Sequence, residues 1–212
     1  MKTRFIGDVH VKWLDYLNVI HNPKNLCSRS IQVGDFGIGF GQRQEFVDYL
    51  TEKMNKENHS HRFIRGNHDN VSVAKHHKNF IQDGTIEDGM MFVGGAFSID
   101  KDLRTPGLDW WDDEELSYTE LAEMIVRYEE EKPEIMITHD CPNSVAQHLF
   151  SNHIKHEFEN SRTRTAFDTM FHHVDHKPKL WIFGHWHTSK HVNILGTDFI
   201  CLNELEFIDL DI

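Results

Sequence analysis

Residues 3–35 read TRFIGDVHVKWLDYLNVIHNPKNLCSRSIQVGD, a complete strand–helix–strand unit. The run Thr3–Ile6 is short and stops at Gly7-Asp8. Trp13, Leu14, Leu17 and Ile20 then recur at three- and four-residue spacing, the period of one helix face, and Pro23 is placed to end that helix. Ser28–Val33 is a second strand-like run, and it too ends in Gly-Asp, at Gly34-Asp35. Two strands joined through a helix predict parallel pairing with the helix on one face.

The unit continues downstream. Gly37, Gly39 and Gly41 mark a loop, Phe46, Val47, Leu50 and Met54 a second amphipathic helix, and HRFIRGNHD at 61–69 a third strand with its loop. Residues 80–99 are punctuated by Asp83-Gly84, Asp88-Gly89 and Gly94-Gly95, a hairpin signature. Residues 100–115 lack periodicity, and so long an irregular stretch inside a compact domain is either functional or disordered. Ser117 and Glu120 are spaced as a capping box before an apolar stripe at Leu121, Ala122, Ile125 and Tyr128, with Pro133 beyond it. EIMITHD at 134–140 and KLWIF at 179–183 read as buried strands, Phe167, Met170, Phe171 and Val174 as a helix face, and 191–210 as a terminal meander. With no internal repeat and no linker, the expectation is one α/β domain over 1–212, two packed mixed sheets with helices on both outer faces.

The chain carries 22 Lys and Arg against 34 Asp and Glu, a net charge of −12 with histidine neutral. Such a surface is ill suited to gripping an extended nucleic-acid backbone, although bound cations can invert the field within one cleft. The first residues lack the apolar segment of a signal peptide, and no apolar run approaches the ~18 residues that span a bilayer. Three scattered cysteines, Cys27, Cys141 and Cys201, fit a reducing compartment. A cytoplasmic protein without membrane association is expected. Histidine is over-abundant, at 17 residues, so position has to decide which of them matter.

Polar clusters stand where the apolar runs stop. IGDVH supplies Asp8 and His10, VGDFG Asp35, RGNHD Asn67 and His68, ITHD His139, and FGHWH His185 and His187. In open α/β folds ligands bind beyond the carboxyl ends of strands, so residues far apart in sequence converge there. His185 and His187 stand two apart in an extended segment and project the same way. Each cluster alone reads equally well as a solvated turn; the ordered series does not. Asp8, Asp35, Asn67, His10, His139, His185 and His187 are oxygen and nitrogen donors with no thiolate among them. That set is too large for one tetrahedral zinc and suits two divalent ions sharing a carboxylate. Such ions lie roughly 3.5–4 Å apart and clamp the attacking and leaving oxygens of a displacement at phosphorus. Manganese is the first expectation, with iron, zinc and nickel as alternatives.

The series GDxH, GD, GNHD, H, GHxH, running from Asp8 to His187, resembles the calcineurin-like metallophosphoesterase superfamily. The resemblance implies a four-layer α/β/β/α sandwich. It assigns one metal to Asp8, His10, Asp35 and His187, and the other to Asp35, Asn67, His139 and His185, with Asp35 as the bridge. It also implies a phosphoesterase in which a metal-bridging hydroxide, its pKa lowered from about 15.7 towards about 7, attacks the phosphorus of a diester or monoester. His68 would ligate no metal; it would donate a proton to the leaving oxygen or a hydrogen bond to the phosphoryl oxygens. The protein Ser/Thr phosphatase branch carries GDxxDRG and GNHE, where this chain has GDFGIGF and GNHD. The chain is therefore more similar to phosphodiesterase- and nuclease-like branches and to small bacterial and phage members.

Substrate choice is expected in the central loop, with Arg104 on a phosphate and Trp110 or Trp111 on a base or ring. Asp69 and Asp140 are candidates for orienting neighbouring histidines. Trp186, between the two site histidines, is either packing or a pocket wall. His172, His173 and His176 share helical spacing but read as a solvated face. The expected partner is a phosphate ester, a nucleotide included; the alternatives are a metal-dependent nuclease and a non-catalytic protein-binding scaffold on the same fold.

Overall fold

The computed structural model describes residues 2–22, 24, 27–56, 59–151 and 161–212. Strands β1 (Lys2–Ile6), β2 (Arg29–Gln32) and β3 (Ser60–Phe63) are joined by helices α1 (Trp13–His21) and α2 (Gln44–Met54). Both strand pairs are parallel, with Phe5 opposite Ile31 and Ile31 opposite Arg62. Helix α1 buries Trp13, Tyr16, Leu17 and Ile20, while Leu14, part of the apolar stripe in sequence, faces solvent. Pro23, expected to end this helix, lies outside the described residues. A short helix α3 (Val71–Ala74), capped by the Asn70 side chain, follows β3.

The second sheet is built from β4 (Ile86–Glu87), β5 (Met90–Val93), β6 (Ile135–Thr138), β7 (Leu180–Phe183), β8 (Lys190–Ile194) and β9 (Thr197–Cys201), in the order β4-β5-β6-β7-β9-β8. β5, β6, β7 and β9 run parallel, and β4 and β8 close the edges antiparallel. The β4–β5 turn is Asp88-Gly89 with φ of 51° and 74°, the left-handed pair that matches hairpin twist. Helix α4 (Tyr118–Glu131) begins at the capping box predicted for Ser117 and Glu120. Helix α6 (Arg162–Asp168) runs into a wide turn over Thr169–His173.

Two departures from the sequence reading stand out. Helix α5 (Asn143–Phe150) has only Val145, Ala146 and Phe150 buried, too sparse a stripe to be seen in sequence. The terminal meander is half right: β8 and β9 form a hairpin, but β10 (Phe207–Asp211) leaves it and pairs antiparallel with β1 in the first sheet. The crossing gives the buried Arg4 side chain its partner. Nε and Nη2 of Arg4 donate to Asp209 Oδ1 and Oδ2 at 2.7 and 2.9 Å, and an unpaired guanidinium there would cost several kcal/mol.

Alternation along the strands builds three apolar layers. Ile6 and Phe63 face α1–α3, whereas Phe5, Ile31 and Ile64 face the opposite sheet. On β5, Met90 and Phe92 point to the inter-sheet layer and Met91 and Val93 to α4–α6; Ile182 of β7 lies between Trp181 and Phe183 in the same way. Strands buried on both faces are expected only when helices cover both outer surfaces. The order is thus helices, first sheet, second sheet, helices. No helix among the described residues is long and apolar enough to cross a membrane.

Candidate metal centre

The parallel strands end at a common edge, and five of those ends carry the polar clusters. β1 leads to Asp8 and His10, β2 to Asp35, β3 to Asn67 and His68, β6 to His139, and β7 to His185 and His187. The turns are tight: His10, Asp35, His185 and His187 all hold left-handed backbone, with φ between 46° and 68°. That conformation costs a non-glycine residue about 1–3 kcal/mol, and such residues cluster at functional sites. Gly66 is required by close approach, because a Cβ there would stand 2.1 Å from Asp35 Oδ1.

The side chains gather into two donor sets. Asp8, His10, Asp35 and His187 offer one ligand atom each within 4.8 Å of one another, and so do Asp35, His139 and His185. In the first, the Nε2 atoms of His10 and His187 face each other at 2.7 Å, and His187 Nε2 lies 3.0 Å from Asp8 Oδ2. In the second, Asn67 Oδ1 is 3.1 Å from both His139 Nε2 and His185 Nδ1. Asp35 belongs to both and divides its oxygens between them: Oδ2 is 3.7 Å from His10 Nε2, Oδ1 3.2 Å from His139 Nε2.

Surrounding groups aim these donors. His139 Nδ1 donates to the Val33 carbonyl at 2.9 Å, which turns Nε2 toward the donor set. Asn67 Nδ2 donates to Ser98 Oγ at 3.0 Å, turning Oδ1 inward. The backbone N–H of His68 donates to Asp35 Oδ1 at 2.7 Å, and that of His185 to Asp8 Oδ1 at 3.1 Å. Ser98 has no strand-end signature and the sequence reading missed it.

The electrostatics call for cations. Burial disfavours charge on Asp8, yet hydrogen bonds from His10 and His187 and the charge of His139 hold its carboxyl down at about 2. Asp35 is likewise buried and is pulled well below the ordinary range, chiefly by His139. Burial works against protonating His139, but the Asp35 carboxylate raises it to about 10. His185, where burial prevails, is lowered to about 4. Two buried carboxylates thus draw positive charge wherever a donor can carry it. Oxygen and imidazole donors without thiolate suit divalent transition ions.

Asp140 and Asp69 do different work. Asp140 Oδ2 lies 3.9 Å from His185 Nε2 and 3.5 Å from Arg164 Nε, while Oδ1 accepts from the Trp186 indole at 3.0 Å. Asp69 instead accepts four backbone amides, from Phe36, Gly37, Ile38 and Gly66, and so pins the loop after β2 against the one after β3. Burial and the charge of Asp35 push its carboxyl up to about 7 against the pull of the Gly66, Ile38 and Gly37 amides.

A cavity of about 1070 Å³ opens over the two sets, with Asp35, Asn67, His68, Arg104, Arg164 and Trp186 among its lining. The Arg104 guanidinium lies against His68, Nη1 2.7 Å from Nδ1 and Nη2 3.0 Å from Nε2, and is held from behind by both Asp100 oxygens at 2.8 Å. Burial lowers the His68 pKa, outweighing the charge of Asp35, and Arg104 adds to the effect. Trp110 and Trp111 stand outside this cavity. Trp111 sets its edge on Phe40, and Trp110 lines a neighbouring groove. The ring on the wall is Trp186, stacked on Phe150 at 4.1 Å. His172 is taken up by Ser144 Oγ at 2.8 Å and His176 by the Pro133 carbonyl at 2.7 Å.

A sequence profile of calcineurin-like phosphoesterases matches residues 1–189. The chain belongs to that family. A solved structure from Thermus thermophilus, TT1561, aligns over 95% of this chain and 89% of its own, at 14% identity and a TM-score of 0.54, so the likeness is one of fold. GAP50, described as the anchor in the inner membrane complex of Plasmodium, aligns over 95% of this chain and 71% of its own, at 10% identity and a TM-score of 0.44. No curated protein matches the chain. Family membership accounts for the four-layer order, and it makes the two donor sets candidates for the divalent ions of a phosphoester hydrolase.

Proposed function

We propose that the chain is a two-metal phosphoester hydrolase acting on a small phosphodiester or phosphomonoester. The observation that carries this reading is Asp35, one oxygen turned to each of two donor sets, at the floor of the cavity. Asp8, His10, Asp35 and His187 would hold one ion, and Asp35, Asn67, His139 and His185 the other, with manganese the first choice. Two such ions supply Lewis acidity at the phosphoryl oxygens and an activated water.

The rest falls to the chain's own groups. Lys12, Arg104, Arg164 and Lys190 line the cavity beside Asp35, Asp100 and Glu204, a richer share of cations than the chain as a whole with its net charge of −12, and they would help to orient an anionic ester. Arg104, pre-set by Asp100, holds a fixed positive charge beside His68 that would attract a phosphate. His68 is held neutral in the free protein, and an anionic phosphate nearby would raise its pKa. The proton needed on the leaving oxygen would then arrive with the substrate. Trp186 offers a flat apolar wall for the alcohol portion. A scaffold that had abandoned catalysis would be free to lose ligands, and here the full set converges.

The test is hydrolysis of p-nitrophenyl phosphate, bis-p-nitrophenyl phosphate, cyclic nucleotides and single-stranded DNA, each with Mn²⁺ and with chelator. Mn²⁺-dependent, chelator-sensitive turnover of one of the small esters is expected. Turnover of DNA alone would replace this reading with a nuclease, and no turnover of any of them would sink it.

A further inference from the structure

At the far end of the first sheet, away from the cavity, three imidazoles face one another. His21 ends α1, and His59 and His61 lie before and within the start of β3. One ligand nitrogen from each falls within 4.8 Å of the others. His61 is fully buried and the other two are partly so. Nothing in the strand-end chemistry accounts for them.

The geometry points to a third metal site, formed by His21, His59 and His61, that takes a single borderline ion of the zinc type. Ring centroids are 5.4 Å apart for His59–His61, 5.6 Å for His21–His61 and 5.9 Å for His21–His59. Imidazoles bound at about 2.0–2.1 Å around one tetrahedral ion place their centroids about 5 Å apart and their ligand nitrogens about 3.4 Å apart. His61 Nε2 and His59 Nδ1 stand 3.4 Å apart, long for a hydrogen bond but right for neighbouring corners of a coordination shell.

Two of the rings are already aimed. His21 Nε2 donates to the Lys53 carbonyl at 2.9 Å, which leaves Nδ1 as the lone pair, and that buried atom has no hydrogen-bond partner. A buried lone pair without a donor is uncommon and asks for an explanation; a metal ion provides one. His61 Nδ1 is engaged by Ser30 Oγ at 2.8 Å, which directs Nε2 into the cluster. Fixing the outer nitrogen in this way is the usual arrangement for ligating histidines. Burial, and then the charges of neighbouring groups, keep His21 below its ordinary pKa and lower His61 to about 3, so both lone pairs are available at neutral pH.

Three imidazoles with no carboxylate or thiolate select zinc, copper or nickel over magnesium, calcium or manganese. Zinc, which has no redox chemistry, suits a clasp between the end of α1 and the edge strand β3. A fourth position would be filled by water.

The test is zinc content per chain after equilibrium dialysis against buffered Zn²⁺, in wild type, in His59→Ala and in His21→Gln, with circular dichroism to verify the fold. Neither residue belongs to the cavity, so the strand-end donor sets stay intact in both variants. Each should hold one Zn²⁺ fewer than wild type. Equal zinc content in wild type and both variants would overturn the assignment.

Discussion

Gly184 approaches Asp8 so closely that a Cβ on it would stand 2.1 Å from Asp8 Oδ1, although 176 residues separate them in the chain. The glycine lets the β7 turn close over the β1 aspartate, whose oxygens then accept the His185 backbone N–H at 3.1 and 3.2 Å. Gly184→Ala must push that carboxylate aside. We expect the first donor set to bind its ion about 10–100-fold more weakly, read by metal titration. Unchanged affinity would show that Asp8 is not held by this contact.

Ser98 fixes which end of Asn67 faces the second donor set. Ser98→Ala frees the amide to rotate, and the affinity for one ion, not both, should fall about tenfold or more. Two binding steps in calorimetry, with one shifted, would agree with this; two equal shifts would not.

His68 and Arg104 should separate kinetically. His68→Ala removes a group proposed to act on the leaving oxygen, so kcat should fall about 10²–10⁴-fold with metal content intact. Arg104→Ala removes a charged hydrogen-bond donor worth about 1.5–3 kcal/mol to its partner, so KM should rise by about tenfold or more. The reverse pattern would exchange their roles.

His139 gives the metal-free protein a pH signature. Its folded pKa of about 10 lies above its ordinary 6.5. The stability it contributes is therefore complete below pH 6.5 and is lost as pH rises towards 10. Thermal unfolding in chelator should shift to lower temperature across that window. With Mn²⁺ bound, His139 Nε2 carries no proton, and this component of the slope should vanish. A metal-free protein that grows more stable from pH 6.5 to 10 would contradict the assignment.

The site was legible in sequence to the extent that its chemistry is local. Each candidate ligand stands within four residues after a strand, so order and spacing single out Asp8 through His187. Groups that arrive from elsewhere left no such mark. Ser98 follows a hairpin, Arg164 lies on a helix, and Phe150 ends a helix whose stripe was too sparse to see. Trp110 and Trp111 were attractive as aromatic residues in an irregular loop, but Trp111 packs on Phe40 and Trp110 lines a neighbouring groove. The fold followed the same rule. Alternation gave the strands and two-faced burial gave the layers, but nothing local distinguishes β10 from a third meander strand. Its sheet is decided by long-range partners, the backbone of β1 and the pairing of Arg4 with Asp209, 205 residues apart.

The central claim is that one carboxylate, Asp35, serves two ions. It is tested most directly by counting Mn²⁺ per chain in Asp35→Asn beside wild type. Manganese is the right probe because three imidazoles alone disfavour it, which keeps the His21–His59–His61 cluster out of the count. The account predicts two tightly held Mn²⁺ in wild type and neither in the variant. A variant that keeps both ions would contradict it.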